Sequence, residues 1–128
     1  MAIGTDVVEV VRIRRAIERN PKFVGRVFTD SETSYCFGSS PDLSKVTAER
    51  FAARFAAKEA VLKVLGLGLG GCKFTDIEVQ RDPSGQPNLK LTGRALERAQ
   101  ELGIGTCLIS LSHTAEVAQA FAAGVATN

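Results

Sequence analysis

The centre of the chain reads FAARFAAKEAVLK over residues 51–63. Alanine and leucine favour a helix, and neither glycine nor proline interrupts the run. Four charged side chains lie among the apolar ones: Arg54, Lys58, Glu59 and Lys63. Glu59 and Lys63 share one helix face, and as an exposed ion pair they would contribute only about 0.3–0.5 kcal/mol. The alternative is functional, because one acid among three cations suits a site that holds both a metal and phosphates.

Two distant segments also contain polar residues at informative positions. Residues 2–8 predict a strand, and Asp6 interrupts its apolar pattern. A buried carboxylate needs a cation, a hydrogen-bond donor or a metal, whereas the simpler alternative is a turn or cap residue before the next helix. Residues 106–112 predict another strand, which ends at His113, the only histidine. Strand ends commonly carry functional groups, although a lone histidine is more often a surface or hydrogen-bonded residue.

The rest of the chain mixes helices and strands without regular alternation, which predicts an α+β fold. We expect a mostly antiparallel sheet packed against the long central helix, in a single domain over residues 1–128. The predicted helices cover 9–19, a short segment opened by the capping box Thr29–Glu32, 46–65 and 93–102. The predicted strands cover 2–8, 74–81, 88–91, 106–112 and 116–126. The glycine-rich turn 66–71 is either a helix stop with a loop or a phosphate contact.

Basic side chains are concentrated near the amino terminus, although the net charge is only +2. A basic helix binds nucleic acid, an anionic membrane or an acidic protein, or is simply a solvated face. One tyrosine and no tryptophan leave little for base stacking, and no apolar run approaches the roughly 20 residues of a membrane span. Without a secretory signal, we interpret Cys36, Cys72 and Cys107 as reduced thiols of a cytoplasmic protein.

Three segments together resemble one known family. Gly-Thr-Asp at 4–6 with Glu9, the block Arg-Phe-Ala-Ala-Lys-Glu-Ala at 54–60 with Lys63, and Ser-His-Thr at 112–114 are similar to holo-acyl-carrier-protein synthases. These are small, stand-alone 4′-phosphopantetheinyl transferases, and the similarity extends from about residue 3 to residue 125. The resemblance implies a homotrimer with active sites between subunits. It also implies transfer of phosphopantetheine from coenzyme A to a serine of an apo-acyl carrier protein, in support of fatty acid synthesis.

The resemblance also implies roles for individual residues. Asp6 and Glu59 correspond to the family's ligands for Mg²⁺, or Mn²⁺, and a metal of this kind prefers carboxylates and substrate phosphates. Lys63 would contact the diphosphate and protonate the leaving phosphate, while Glu59 would help to deprotonate the attacking serine, directly or through water. The remaining implied contacts are Arg54, Lys58 and His113 for coenzyme A, and Arg12, Lys22 and Arg26 for an acidic carrier protein or a carrier domain of a synthase.

Two other classes of function compete with the transferase. A small α+β trimer with a basic helix would also suit a non-catalytic module that binds acidic proteins or nucleotides. A nucleotide hydrolase would need a base to activate water, and the sequence offers no clear additional one. Metal-dependent binding of coenzyme A separates these classes, because a protein-binding module shows none and a hydrolase consumes coenzyme A without a carrier protein.

Overall fold

A computed structural model describes residues 1–68 and 70–126 and confirms the predicted α+β class. The strands are β1 (Ala2–Glu9), β2 (Ile77–Arg81), β3 (Pro87–Leu91), β4 (Ile104–His113) and β5 (Val117–Ala126). The helices are α1 (Val10–Arg19), α2 (Phe23–Val27), α3 (Asp30–Phe37), α4 (Lys45–Leu65) and α5 (Gly93–Glu101). No helix among the described residues is long and apolar enough to cross a membrane.

The strands form two antiparallel sheets, one in the order β1-β5-β4 and one pairing β2 with β3. Helix α4 packs on one face of the three-stranded sheet, and its alanines are almost completely buried. Gly4 brings β1 very close to this helix, because a Cβ atom there would lie 2.1 Å from the carbonyl oxygen of Ala60. This close approach places β1 residues beside the carboxyl-terminal half of α4.

Both ends of α4 have local explanations. The Ser44 side chain accepts a hydrogen bond from the Thr47 amide at its start. Gly66 adopts a left-handed conformation at its end, with a φ of 63°, which ends the helix without a steric penalty. Gly66 therefore acts as the helix stop of the predicted turn 66–71, in which Leu69 lies outside the described residues.

Two segments differ from the sequence prediction. The predicted strand 74–81 begins only at Ile77, because the preceding residues Phe74–Asp76 form a 3-10 turn. The Asp76 amide donates to the carbonyl of Lys73, and the Asp76 carboxylate accepts from the Lys73 amide, so local hydrogen bonds replace strand pairing. Helix α2 was not predicted, and its Phe23 ring packs beside Phe28, 6.2 Å between centroids.

Candidate active site

The predicted carboxylates lie together where β1 meets α4. Lys63 bridges the two elements, because its Nζ lies 3.5 Å from Asp6 Oδ1 and donates to the carbonyl of Thr5 at 2.7 Å. Burial raises the pKa of Glu59, and the Asp6 carboxylate raises it further, while Arg12 and Lys63 oppose the shift. The structure thus unites Asp6, Glu59 and Lys63, which are up to 57 positions apart in the sequence, and a cation between the carboxylates would relieve their repulsion.

Asp6 and Glu59 suit a magnesium ion that takes its remaining ligands from water and substrate phosphates, rather than a metal held entirely by protein side chains. Within the described residues, no group of three or more His, Cys, Asp or Glu side chains is arranged to hold a metal. Asp6 and Glu59 would supply two carboxylates to such an ion, and Mg²⁺ commonly uses one or two carboxylates with waters and substrate phosphates. Lys63 is half exposed beside them and remains available to a phosphate.

A second group lines a separate cavity of about 500 Å³ at the end of β4. Arg54 and His113, both predicted to contact coenzyme A, lie in this cavity. His113 Nδ1 lies 3.0 Å from Glu49 Oε1, so a carboxylate from α4 orients the imidazole ring. Arg54 is 2% exposed, and its Nε atom has no hydrogen-bond partner among the described residues. The cavity thus combines an oriented histidine with a buried, incompletely paired guanidinium.

The sequence analysis missed several residues of this cavity. Tyr35, Arg50 and Arg81 also line it, and their elements are α3, α4 and β2 respectively. Arg50 precedes Arg54 by one helical turn, so the i,i+4 spacing was an available signal. Tyr35 and Arg81 carried no comparable signal, because only the tertiary fold brings their elements to the cavity.

Lys58, which was also predicted to contact coenzyme A, lies in neither of these two groups of residues. Its side chain is fully buried, with Nζ 2.8 Å from Glu32 Oε1. Its remaining protons go to the backbone carbonyls of Phe74, at 3.1 Å, and Ile77. Three partners use the hydrogen-bonding capacity of an ammonium group, so Lys58 holds α4 against α3, the turn before β2 and the first residue of β2.

The residues predicted to bind a carrier protein lie at the amino-terminal end. Arg12 on α1 is near enough to Glu59 to influence its pKa, and its guanidinium lies 5.9 Å from the centroid of the Phe55 ring. Lys22 and Arg26 are exposed at the start of α2 and within it. Arg12 therefore lies between the cluster of Asp6, Glu59 and Lys63 (the carboxylate cluster) and a basic, solvent-facing surface.

The carboxylate cluster and the cavity lined by Arg54 and His113 (the arginine cavity) lie on different sides of β5. Asp6 on β1 pairs with Ala120, whereas His113 on β4 pairs with Ala118 from the other side. The cavity containing Arg54 and His113 includes neither Asp6 nor Glu59 in its lining. One chain therefore presents two separate groups of predicted site residues, the carboxylate cluster and the arginine cavity.

Comparison with known proteins identifies the family. The sequence profile of the 4′-phosphopantetheinyl transferase superfamily matches residues 2–123. The chain belongs to this superfamily. The resemblance found in the sequence is thereby confirmed, and the matched residues include both groups of predicted site residues.

Individual relatives agree with this assignment. The holo-acyl-carrier-protein synthase of Moorella thermoacetica is 46% identical over 124 residues, which cover 96% of this chain and 89% of that protein. The Plasmodium yoelii acyl carrier protein synthase with ADP bound has a TM-score of 0.88 at 34% identity, covering 99% of this chain and 96% of that one. The Helicobacter pylori holo-acyl-carrier-protein synthase in complex with coenzyme A has a TM-score of 0.80 at 30% identity, covering 96% and 99%.

Proposed function

We propose that this protein is a holo-acyl-carrier-protein synthase. It transfers 4′-phosphopantetheine from coenzyme A to a serine of an apo-acyl carrier protein and releases 3′,5′-ADP. The observation that carries this proposal is the juxtaposition of Asp6, Glu59 and Lys63, since two carboxylates and an ammonium group match the needs of phosphoryl transfer. The coenzyme A and ADP complexes of the similar structures support the choice of substrate.

The reaction exchanges a phosphoanhydride bond for a phosphate ester bond. The serine oxygen bonds to the β-phosphorus of coenzyme A, and the bond from that phosphorus to the bridging oxygen breaks, so 3′,5′-ADP leaves. Glu59 accepts the serine proton, directly or through water. Lys63 compensates the charge on the diphosphate and donates a proton to the leaving phosphate.

Asp6 and Glu59 would hold Mg²⁺, or Mn²⁺, in this mechanism. When bound, the metal neutralises diphosphate charge and helps to align the reacting groups. Asp6 would act only as a metal ligand, whereas Glu59 would also accept the serine proton. The side chain of Asp6 is 21% exposed, so a metal bound there remains open to substrate and water.

Arg54 and His113 bind the nucleotide portion of coenzyme A in the arginine cavity. We further propose a homotrimer in which the arginine cavity of one subunit and the carboxylate cluster of its neighbour together form one active site. The face of the three-stranded sheet away from α4 supports this assembly, because it exposes large apolar side chains that a monomer would leave in water: Ile3, Val7, Leu108 and Phe121. Light scattering after size-exclusion chromatography tests the trimer, and a monomeric mass for the active protein would contradict it.

The carrier protein docks on the basic surface formed by Arg12, Lys22 and Arg26. Acyl carrier proteins are acidic, and all three cations belong to the first 26 residues. Arg12 is near enough to Glu59 to influence its pKa, so a carrier bound at Arg12 would bring its serine to the carboxylate cluster. We assign the reaction to the cytoplasm, where the three cysteines would stay reduced. Arg12→Glu should weaken carrier binding and spare coenzyme A binding.

The decisive experiment incubates the purified protein with apo-acyl carrier protein, coenzyme A and Mg²⁺, and weighs the carrier by intact mass spectrometry. We expect a metal-dependent gain of one phosphopantetheine, lost in Asp6→Asn and Glu59→Gln. Glu97→Gln on α5 is the matched control, because it removes one exposed carboxylate elsewhere. Normal transfer by Asp6→Asn would contradict the ligand assignment. Consumption of coenzyme A without a carrier would favour a hydrolase instead.

A further inference from the structure

Three arginines surround the ring of Tyr35. The guanidinium carbons of Arg54, Arg81 and Arg50 lie 4.0, 5.1 and 5.5 Å from the ring centroid. All three distances are within the range of a cation–π interaction. Because Tyr35 comes from α3, Arg50 and Arg54 from α4, and Arg81 from β2, one aromatic ring gathers positive charges from separate elements.

Within the part of the chain that the structure describes, none of these three positive charges has an acidic partner. Across residues 1–68 and 70–126, no carboxylate lies within salt-bridge distance of any of the three guanidiniums. Arg50 and Arg81 donate instead to the backbone carbonyls of Cys36, at 3.5 Å, and Gly85, at 2.7 Å. Arg54 leaves a buried Nε without a partner. Mutual repulsion would separate such charges, so their convergence calls for both a scaffold and an anion.

The adjoining cavity is the place for that anion. It measures about 500 Å³, and the three arginines, Tyr35 and His113 all line it. A phosphate group suits this lining, since guanidinium groups bind its oxygens through paired N–H donors. Pre-positioned guanidiniums also lose less freedom when the ligand binds, which strengthens binding.

We propose that Tyr35 is a positioning residue for coenzyme A binding, whose ring holds Arg50, Arg54 and Arg81 together to receive a phosphate group. This inference rests on the proposed transferase function and adds a residue to its substrate site. Helix α3, which carries Tyr35, is fixed against α4, because Glu32 lies one turn before Tyr35 and forms the buried ion pair with Lys58. The ring, rather than the hydroxyl group, carries this role.

The test compares Tyr35→Leu with Tyr35→Phe in the transfer assay and in calorimetric titration with coenzyme A. Loss of the ring should raise KM and Kd for coenzyme A about tenfold and leave kcat within about twofold. The phenylalanine variant should restore most of the affinity, because it retains an aromatic face. Lys90→Gln on β3 is the charge control, and we expect it to bind coenzyme A like the parent protein. Wild-type affinity in Tyr35→Leu would overturn the proposal, as would equal losses in both Tyr35 variants.

A double-mutant cycle adds a test of positioning. Arg81→Gln should weaken coenzyme A binding in the parent protein and have a smaller effect when combined with Tyr35→Leu. Strictly additive effects would overturn the scaffold role. If Tyr35→Leu does not fold, as judged by circular dichroism, the cycle of Arg81→Gln with Arg50→Gln replaces it. Coupled losses then support a shared anion site, and wild-type affinity in both single variants refutes it.

The two proposals fail in different ways. If the parent protein binds coenzyme A but does not modify a carrier, the transferase function is wrong, while the titrations still decide the role of Tyr35. If the parent protein transfers phosphopantetheine and Tyr35→Leu binds coenzyme A normally, only the positioning role is wrong. If the parent protein binds neither coenzyme A nor 3′,5′-ADP, both proposals are refuted.

Discussion

The buried ion pair between Glu32 and Lys58 joins α3 to α4, the helix that carries Arg54, Glu59 and Lys63. Both side chains have no solvent exposure. Glu32 uses its two carboxylate oxygens for three donors: Lys58 Nζ at 2.8 Å, the Thr29 amide at 2.9 Å and the Val79 amide at 2.8 Å. We expect Glu32→Gln to destabilise the protein strongly, because the new NH₂ group would face a backbone N–H, and Lys58 would lose its countercharge.

The magnitude follows from the desolvation of the remaining ion. Removing one partner of a buried ion pair typically destabilises a protein by about 3–5 kcal/mol. Burial already lowers the pKa of Lys58, and the Glu32 carboxylate opposes this shift, so its loss leaves the ammonium without its main electrostatic support. Small proteins unfold with roughly 5–15 kcal/mol in total, so the loss is a large share. For a chain of this size, we expect the unfolding temperature to fall by about 10–20 °C.

Urea unfolding followed by circular dichroism measures this change, at one fixed protein concentration because assembly would contribute to stability. Glu101→Gln is the matched control, since Glu101 pairs with Arg94 at 3.1 Å but both side chains are about half exposed. That change should have a much smaller effect, because water solvates both groups. A loss below about 1 kcal/mol for Glu32→Gln would refute the reasoning, because it would mean that Lys58 finds other compensation.

Two substitutions and one labelling experiment test the fold and the proposed substrate cavity. Gly4→Ala should destabilise the protein by about 3 kcal/mol in urea unfolding, because the new Cβ would overlap the backbone of α4; an unchanged midpoint would contradict this close contact. Burial raises the pKa of Cys36 to about 12, so its thiolate is about a thousandfold scarcer than at the ordinary value of 9.0. Mass spectrometry after brief alkylation should therefore find the half-exposed Cys72 labelled and Cys36 unlabelled, and equal labelling would show that the core opens readily. Glu49→Gln should weaken coenzyme A binding about three- to fivefold in calorimetry, because His113 would lose the carboxylate that orients its ring. Unchanged affinity would show that the contact between Glu49 and His113 does not contribute to coenzyme A binding.

The sequence predicted most of the fold because its local signals agree with the tertiary structure. The capping box of Thr29 and Glu32 is present at the start of α3, and the uninterrupted helix-forming run became α4. The strand prediction failed at Phe74–Asp76, where side chain and backbone hydrogen bonds form a local turn. Such short-range competition is invisible to a pattern of apolar residues, because phenylalanine and threonine are common in strands.

The sequence by itself determined the α+β class, the long central helix, the order of the five strands and the family. Only the tertiary structure decided which charged residues of that helix enter the core and which meet the charged residues of β1. Lys58 and Glu59 are adjacent, yet successive residues point about 100° apart on a helix, so Lys58 enters the core and Glu59 meets Asp6. Likewise, Tyr35 and Arg81 meet only because α3 and β2 pack against α4. Burial and charge pairing depend on these long-range contacts, which no local spacing encodes.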